Sequence, residues 1–435
     1  MTGSKAREII LRLFSGMGEA HEVKKYLKRF SQLESSKFAI VKVGGSILRD
    51  EMEGLATSLA FLHSVGLTPI VVHGAGPQID QALVGTGFGE KRRNGLRVTE
   101  EGAIGHVLKA FQDENQKLVK ALQLAGATAI SLTGIIKADF LDKENLGFVG
   151  DIKDIELGPI QAALKTGCIP VIMPVGVTQN GQQLNINGDT VANQLIRSLV
   201  PFKIIFLTGT GGVLDGNGDL IPVINLATDF ENLNNQDWLS SGMKFKINEI
   251  SDLLRGLPLS SSVSITKPGE LTRELFTDAG SGTLVRKGEN LNVYESWNDI
   301  DVSKVRSLIE ASFGEKLDKD YFEKTKLYKA YITETYRALA IVTNETGIPS
   351  LDKFVVDVEA RGEGLARTLW LKLVGDNPSL FWRARPHNPI NGFYMEEADG
   401  FIKAENWKIY WRGINDMSRI KKCVSYLQNL PRSVL

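Results

Sequence analysis

Short apolar runs alternate with longer stretches of helical periodicity through about residue 287. The runs are too short and too uniformly apolar for strands with one solvated face, so we predict buried strands. They are Phe38–Val43, Pro69–Val72, Ala129–Leu132, Ile169–Pro174, Lys203–Leu207 and Ser261–Ile265. Helices are predicted between them, at 51–64, 100–124, 188–199 and 245–256. This alternation predicts an α/β domain whose mainly parallel sheet is sandwiched by helices, with a hairpin over Val213–Ile224 as a local addition.

The pattern changes after the polar, turn-rich segment Gly288–Asn298. An amphipathic helix over 301–312, clustered short strands and a second helix follow, which predict a smaller α/β domain. The clustered strands are Lys329–Ile332, Ala338–Thr343 and Lys353–Val356, and the second helix is Ala366–Val374. We therefore predict a helical arm over 1–36, a first domain over 37–288, a linker over 289–298 and a second domain over 299–435.

Composition removes several classes of function. The chain has 435 residues, 43% of them hydrophobic, with 51 Lys+Arg against 51 Asp+Glu. With zero net charge, the chain as a whole has no electrostatic attraction for nucleic acid or anionic lipid. No apolar run approaches the ~20 residues that a membrane-spanning helix needs. The two cysteines, Cys168 and Cys423, exclude a disulfide framework and a cysteine-based zinc site. We expect no nucleic-acid partner, no membrane partner and no tightly bound metal.

Residues 5–30 are basic, with interleaved acids and no apolar core, which argues against a transit or signal peptide. We therefore expect a cytoplasmic protein. Two apolar helical faces lie in this segment, one at Ile9, Ile10, Leu13, Phe14 and Met17 and one at Val23, Tyr26, Leu27 and Phe30. The segment is either a helix packed on its own domain or an arm that contacts another subunit.

Glycines follow two consecutive predicted strands. Lys42 lies near the end of the first strand and is followed by Gly44 and Gly45, and His73 leads into Gly74 and Gly76 after the second. Strand ends that open through glycines into helices bind anions in α/β sheets, because main-chain N–H groups point at the ligand there. The spacings fit neither a Walker A loop nor a dinucleotide fingerprint. We predict a phosphate site at these loops.

Two further residues have both a structural and a functional interpretation. Asp189 precedes the helix over 190–199, where an aspartate is often only a helix cap. Lys246 opens another helix, where a lysine is ordinarily a solvated surface residue. Their functional interpretation depends on a family resemblance that implies phosphoryl transfer, a reaction that needs positioning and charge neutralisation more than covalent chemistry.

Together these segments resemble the amino-acid kinase family, of the acetylglutamate kinase type, over residues 37–287. The matching segments are Val41–Gly45, His73–Gly76, Gly95–Thr99, Asn185–Asp189, Gly242–Lys246 and Gly282–Thr283. The resemblance implies that Lys42 and Lys246 flank the transferred phosphoryl group and that Asp189 orients them. It also implies MgATP as co-substrate, bound by the glycine loops with Thr208 and Gly211, and N-acetylglutamate bound by Arg97 and Asn185.

The sequence departs from that family at Gly209, where many members carry an aspartate after Leu-Thr. The resemblance further implies a homo-oligomer, with a tetramer favoured, in which the N-terminal arm joins subunits. It implies L-arginine as an inhibitor, bound near Phe276–Thr283 and the arm.

The second domain has a strand, a glycine-containing turn and a helix in succession over Leu351–Val374. This context places main-chain amides and a helix N-terminus around a pyrophosphate. Farther along, Arg383 and Arg385 lie two residues apart within an aromatic-rich segment, Phe381–Tyr394, so they share one face of a strand.

This half resembles a GNAT-type acetyltransferase of the N-acetylglutamate synthase group over residues 299–430. The resemblance implies that glutamate is held by Arg383, Arg385 and Asn388. Tyr394 is the predicted proton donor to the leaving thiolate, and Lys353 is either a base or a carboxylate anchor. The residues implied for acetyl-CoA are Phe354, Val355, Val356, Arg361, Gly362, Gly364 and Ala366.

The two halves together predict a bifunctional enzyme that makes N-acetylglutamate and then phosphorylates it. One alternative is a synthase whose kinase domain is only regulatory. Gly209 favours this alternative, whereas Lys42, Asp189 and Lys246 argue against it. The other is an arginine-sensing regulatory protein without turnover, which the presence of both sets of catalytic residues disfavours.

Overall fold

The computed structural model describes residues 30, 37–89, 91–93, 95–259, 261–276, 280–358, 360 and 364–434. It divides the chain into two compact units, Met1–Lys287 and Gly288–Leu435. The predicted arm over residues 1–36 lies outside the described residues except for Phe30. Among those residues, no helix is long and apolar enough to cross a membrane. In the same part of the chain, no group of three or more His, Cys, Asp or Glu residues could hold a metal ion.

The first unit alternates strands and helices as predicted. Its strands are β1 (Ala39–Val43), β2 (Ile70–His73), β3 (Arg92–Arg93), β4 (Leu96–Arg97), β5 (Ala129–Leu132), β6 (Ile136–Phe140), β7 (Gly150–Ile155), β8 (Ile169–Ile172), β9 (Val175–Val177), β10 (Gln183–Asn185), β11 (Lys203–Leu207), β12 (Val223–Asn225), β13 (Ser262–Thr266) and β14 (Thr283–Arg286). Its helices are α1 (Gly45–Asp50), α2 (Met52–Ser64), α3 (Gly76–Leu83), α4 (Glu101–Leu124), α5 (Lys143–Leu146), α6 (Leu157–Lys165), α7 (Gly188–Leu199), α8 (Leu226–Asn234), α9 (Ser241–Arg255) and α10 (Leu271–Phe276).

Eight of the described strands form the main sheet, in the order β12–β14–β13–β11–β1–β2–β8–β5. Neighbouring strands are parallel except β13 and β14. A smaller sheet has the order β10–β9–β6–β7, and β3 and β4 form a two-stranded ribbon. Alternate residues of one strand enter different hydrophobic clusters, since Ile40 belongs to one cluster and Val41 to another. Both faces of the sheet are therefore covered, which explains the uniformly apolar strands.

Two predicted elements of the first unit need correction. Ala129–Leu132 forms a strand but is not fully buried, because β5 is an edge strand and Ile130 is 43% exposed. The predicted hairpin exists as a short turn with a Leu214–Leu220 bridge. Its predicted second strand is wrong beyond that point, because Val223–Asn225 pairs in parallel with β14 in the main sheet.

The second unit is built on one sheet with helices on both sides. Its strands are β15 (Leu291–Tyr294), β16 (Lys329–Thr333), β17 (Ala338–Thr343), β18 (Ser350–Val356), β19 (Leu380–Ala384), β20 (Gly400–Lys403) and β21 (Lys408–Arg412). Its helices are α11 (Val302–Phe313), α12 (Tyr321–Lys324), α13 (Leu365–Asp376), α14 (Asn391–Glu397) and α15 (Met417–Asn429). The strand order is β15–β16–β17–β18–β19–β21–β20, and the β18–β19 pair is parallel.

The segment predicted as a linker, 289–298, is not free chain. Leu291–Tyr294 forms β15 and pairs with β16 of the second unit. The apolar positions Leu291 and Val293 alternate with polar ones, a pattern of an edge strand that the surrounding turn residues conceal.

Candidate active sites

Three segments of the first unit converge at the carboxyl ends of β1 and β2. Gly45 follows β1 and Gly76 follows β2, and a Cβ added to Gly45 would lie 2.8 Å from the Gly76 nitrogen. A Cβ on Gly188, the first residue of α7, would lie 3.3 Å from the His73 oxygen. Such close approach of main chains requires glycine. Gly44 and Gly74 lie in the same two loops, so the structure brings the predicted phosphate-binding glycines together.

Lys42, Asp189 and Lys246 come from three distant segments and form one charged group. The Lys42 Nζ lies 2.6 Å from the Asp189 Oδ1, and Lys42 is only 8% exposed. Burial, followed by the positive charge of Lys42, lowers the pKa of Lys246, while the charge of Asp189 opposes the shift. Two cations held near each other favour an anion between them, because it removes their mutual repulsion.

Asp189 is not the cap of α7. The N-cap is Asn187, whose side-chain oxygen accepts a hydrogen bond from the Asp189 nitrogen at 2.7 Å. The Asp189 carboxylate is thereby free of a capping role and reaches Lys42 instead. The structural interpretation of Asp189 as a helix cap is wrong for this reason.

A second carboxylate of this site, Glu249, was missed by the sequence analysis. Burial, followed by the negative charge of Asp189, raises the pKa of Glu249 to about 7, against the opposing charges of Lys42 and Lys246. Glu249 lies three residues after Lys246 on α9, so the two side chains share a helix face. This three-residue spacing is the sequence feature from which Glu249 could have been predicted to lie beside Lys246.

Arg97 and Asn185 lie on one polar network. Arg97 pairs with Asp80 through Nη2, which also donates to the Gly76 oxygen at 3.3 Å. The Asn185 amide donates to Thr99 Oγ1 at 3.0 Å, and Thr99 Oγ1 donates to the Arg97 oxygen at 3.2 Å. The Arg97 Nη1 is buried and has no hydrogen-bond partner among the described residues. A buried donor of this kind is costly unless a ligand satisfies it.

His73 holds the second glycine loop in place. Burial lowers the pKa of His73 to about 4, although a hydrogen bond to Gly74 opposes the shift. The ring is therefore neutral at physiological pH. The Asn115 amide donates to Nε2 at 3.0 Å, so the proton lies on Nδ1, which donates to the Gly74 oxygen at 3.2 Å.

Thr208 and Gly211 follow β11 at the same edge of the sheet. The Thr208 nitrogen donates to the Thr266 oxygen at 3.0 Å. Gly211 has φ +75°, and a Cβ there would lie 2.7 Å from the Lys267 side chain. At Gly209 an added Cβ meets nothing within 4 Å and φ is not in the left-handed range. The glycine at 209 is therefore not required by local sterics.

In the second unit, β18 and β19 pair only at their beginnings. The parallel register covers Ser350 with Phe381 and Leu351 with Trp382, and no pairing follows although β18 continues to Val356. On its other side β18 stays paired with β17 through Val356. The later part of β18, with Phe354, Val355 and Val356, thus borders an opening between strands, which we call the β18–β19 cleft.

A β-bulge decides the direction of the side chains on β18. Ile341 of β17 faces Lys353 and Val342 faces Leu351, so Asp352 is an extra residue without a partner. A bulge of this kind shifts the alternation of faces by one residue. Leu351 therefore lies in one hydrophobic cluster with Phe354, while Val355 lies in another cluster on the opposite face.

The bulge also lets Asp352 and Lys353 meet. The Lys353 Nζ lies 2.6 Å from the Asp352 Oδ2 and 2.7 Å from the Ser433 Oγ, and it lies over the Tyr321 ring. Burial alone would raise the pKa of Asp352, but the charge of Lys353 and hydrogen bonds from Lys353 and Tyr321 hold it below its usual value. Asp352 and Tyr321 were missed, because neighbouring strand residues ordinarily point to opposite faces.

Tyr394 lies on the other face of β18 from Lys353. Its ring packs against Phe354 and Trp382, with centroids 6.5 Å and 5.5 Å away. Burial, followed by the neighbouring Tyr410, raises the pKa of Tyr394, so the phenol keeps its proton. Its hydroxyl makes no hydrogen bond to any described residue. The structure therefore does not join Tyr394 and Lys353 in one contact.

Arg383 and Arg385 have different partners. The Arg383 guanidinium donates to the main-chain oxygens of Leu427, Leu430 and Pro431 at 2.6–2.9 Å. The Arg385 guanidinium makes two parallel hydrogen bonds, both 2.6 Å, to the Glu315 carboxylate. Arg383 thus anchors the chain end, whereas Arg385 holds a single carboxylate.

Asn388 and Asn391 shape the loop that carries Arg385. The Asn388 nitrogen donates to the Arg385 oxygen at 3.0 Å, and its side-chain oxygen accepts from the Ile390 nitrogen. The buried Asn391, which the sequence analysis did not single out, donates to the Arg385 and Pro386 oxygens.

Part of the predicted coenzyme loop lies outside the described residues, including Arg361 and Gly362. Gly364 is described and is the N-cap of α13, with φ +77°. Ala366 is the second residue of that helix. The helix N-terminus expected for a pyrophosphate is present there.

Each half of the chain matches a known protein family. Residues 37–260 match the amino acid kinase family, and residues 292–429 match the N-acetyltransferase of N-acetylglutamate synthase. An acetylglutamate kinase of Xanthomonas campestris is 51% identical, over 94% of this chain and 98% of the relative. The mitochondrial N-acetylglutamate synthase of Homo sapiens is 32% identical, over 95% of this chain and 76% of the relative.

A solved structure shows the same fold over almost the whole chain. The N-acetylglutamate synthase of Neisseria gonorrhoeae, complexed with coenzyme A and N-acetyl-glutamate, has a TM-score of 0.61 at 18% identity and covers 95% of this chain and 97% of its own. With the fold, the two family matches and the relatives, the chain belongs to the amino acid kinase family and carries an N-acetyltransferase domain of the N-acetylglutamate synthase type. Both are families of transferases.

Proposed function

We propose that the chain is a bifunctional enzyme of arginine biosynthesis. The second unit transfers the acetyl group of acetyl-CoA to L-glutamate, and the first unit phosphorylates the product, N-acetylglutamate, with MgATP. The observation that carries the proposal is the convergence of Lys42, Asp189 and Lys246 at the glycine loops of a chain that also has the β18–β19 cleft. The names of two relatives, an acetylglutamate kinase and an N-acetylglutamate synthase, support it.

In the kinase reaction the terminal phosphoryl group of ATP moves to a carboxylate oxygen of N-acetylglutamate, which gives an acyl phosphate and ADP. Lys42 and Lys246 neutralise the charge on the phosphoryl oxygens, and Asp189 fixes the Lys42 ammonium. The free Arg97 Nη1 donates to the other carboxylate of the substrate. The resemblance to kinases of the acetylglutamate kinase type implies these roles, and the charge and position of the residues support them.

In the acetyltransferase reaction the amine of glutamate attacks the thioester carbon and a carbon–nitrogen bond forms. The amine gives up a proton to a base or to water, and the carbon–sulfur bond breaks as the thiolate of CoA leaves. The thiolate needs a proton, and the buried phenol of Tyr394 supplies it. Lys353 is either the acceptor of the amine proton or an anchor for a substrate carboxylate, and its Nζ pairs with the Asp352 carboxylate in the free enzyme. Arg385 binds a substrate carboxylate from the β19 side.

Turnover by the purified wild-type protein tests both reactions. We expect acetylation of L-glutamate with acetyl-CoA, and phosphorylation of N-acetylglutamate with MgATP that the Lys42→Ala variant loses. Retained acetylation in that variant is the control for folding. Acetylation without any phosphorylation in the wild type would favour a synthase with a regulatory first unit, which Gly209 supports. Absence of both reactions would contradict the proposal.

We further propose that L-arginine inhibits the enzyme and that the arm joins subunits into a tetramer. The Neisseria enzyme has also been solved with coenzyme A and L-arginine. Phe30 packs among Phe38, Phe202 and Phe276 at 5.1–5.8 Å between ring centroids, so a deletion should end at residue 29.

We expect L-arginine to lower turnover of the wild type, and deletion of residues 1–29 to weaken that inhibition and reduce the assembly size. Initial rates across an arginine titration and light scattering of both proteins are the measurements. Full inhibition and the same assembly in the deletion variant would refute the role of the arm.

A further inference from the structure

Glu315 has the geometry of a substrate carboxylate bound to Arg385. Its two oxygens accept parallel hydrogen bonds from Nη1 and Nη2 of Arg385, each 2.6 Å long. This two-point pairing is the arrangement in which an arginine binds a free carboxylate. The donors assigned to the substrate are therefore already occupied by a group of the protein.

The ion pair between Glu315 and Arg385 is accessible to a competing carboxylate. The side chains of Glu315 and Arg385 are 31% and 42% exposed, so solvent and solutes reach both. Exposed ion pairs contribute little free energy, which makes the replacement of one carboxylate by another inexpensive. The two other predicted substrate cations differ, because Arg383 is held by three main-chain oxygens and Lys353 by the largely buried Asp352.

The loop of Glu315 is fixed independently of Arg385. It follows Gly314, which ends α11 with φ +67°. Glu310 accepts hydrogen bonds from the Leu317 nitrogen and the Lys316 Nζ, and Leu317 bridges to Val434. The Glu315 side chain can thus rotate away while the loop keeps its position. The positive charge of Arg432 also acts on Glu315 and offers a second partner after displacement.

We propose that Glu315 is an internal competitor for the substrate carboxylate, and that it sets the affinity of the acetyltransferase for glutamate. In the free enzyme the Glu315 carboxylate is bound to the guanidinium of Arg385. The substrate glutamate displaces Glu315 by binding its own carboxylate to the same two guanidinium nitrogens. This inference rests on the proposed acetyltransferase function and adds a residue that determines substrate affinity without touching the reacting atoms.

The test compares Glu315→Gln with the wild type. Glutamine keeps the size of the side chain and removes the charge, so we expect the KM for glutamate to fall by about two- to five-fold, with kcat and the KM for acetyl-CoA unchanged. Glu315→Asp keeps the charge but shortens the reach, and its KM should lie between the two. Glu323→Gln is the matched control, because it makes the same substitution at an exposed residue of the same unit that contacts neither Arg385 nor the loop of Glu315.

Binding of L-glutamate in the presence of coenzyme A, measured by titration calorimetry, gives a readout independent of turnover. It should tighten by the same factor in Glu315→Gln. An unchanged KM and affinity would overturn the inference, and so would a raised KM, which would make Glu315 a positioning residue for Arg385. A wild type that neither acetylates nor binds glutamate would overturn the proposed function and this inference together.

Discussion

Replacing Lys246 by alanine should abolish phosphorylation of N-acetylglutamate, with a loss of at least about 10³-fold in kcat. Lys246 is one of the two cations that we propose to face the transferred phosphoryl group, and burial and the nearby charge of Lys42 lower its pKa. Alanine removes the positive charge where negative charge spreads in the transition state, so the loss appears in kcat. Initial rates with N-acetylglutamate and MgATP measure it.

Acetylation of glutamate by the same variant should stay within about two-fold of the wild type, because Lys246 belongs to the first unit. Lys244→Ala is the matched control, since Lys244 lies in the same turn of α9 and has no place in the charged group. An equal loss of both activities would contradict independent sites. Full phosphorylation by Lys246→Ala would remove Lys246 from the mechanism.

Replacing Tyr394 by phenylalanine should lower acetylation by about 10²- to 10⁴-fold in kcat, the range expected for loss of a general acid. The ring contacts with Phe354 and Trp382 are retained, and the hydroxyl has no hydrogen bond to another described residue that could be broken. The raised pKa keeps the phenol protonated through neutral pH, which suits a donor and excludes a base. The rate of CoA release from acetyl-CoA with saturating glutamate measures the effect.

Tyr331→Phe is the control for Tyr394→Phe. Tyr331 is fully buried in the same hydrophobic cluster, and its hydroxyl accepts a hydrogen bond from Asn377 at 2.9 Å. Loss of this hydrogen bond in Tyr331→Phe should lower the free energy of unfolding by about 1 kcal/mol and leave kcat for acetylation unchanged. If Tyr331→Phe slowed acetylation as much as Tyr394→Phe, packing and not proton donation would explain both. Phosphorylation should be unaffected in either variant.

Much of the first site could be predicted because its parts are local. A strand that ends in Gly44 and Gly45, or in Gly74 and Gly76, is visible as an apolar run followed by glycines, and parallel topology brings such ends together. The contact between Lys42 and Asp189 is not local, since 147 positions separate them. That Asn187 caps α7 and leaves Asp189 free follows only from the path of the chain into that helix. Helical spacing predicts that Glu249 lies on the same helix face as Lys246, but it does not predict that Glu249 is buried.

The second site shows where local patterns fail. The alternation of Leu351–Val356 predicts a strand correctly, but one extra residue changes which side chains share a face. Asp352 and Lys353 would point apart on a regular strand, and the bulge brings them together. No pattern in the sequence fixes that bulge, because it depends on the pairing with β17.

The sequence by itself determined the two α/β halves, their order, the glycine loops and the types of charged residue available at each site. Strand periodicity and glycine are local properties, so they are readable without coordinates. The tertiary structure decided which charges meet. Arg383 and Arg385 are chemically identical side chains two positions apart, so the sequence does not distinguish them. In the structure Arg383 binds the main chain of residues 427–431, whereas Arg385 binds Glu315. Pairings across such separations depend on the folded path of the chain, which no local pattern specifies.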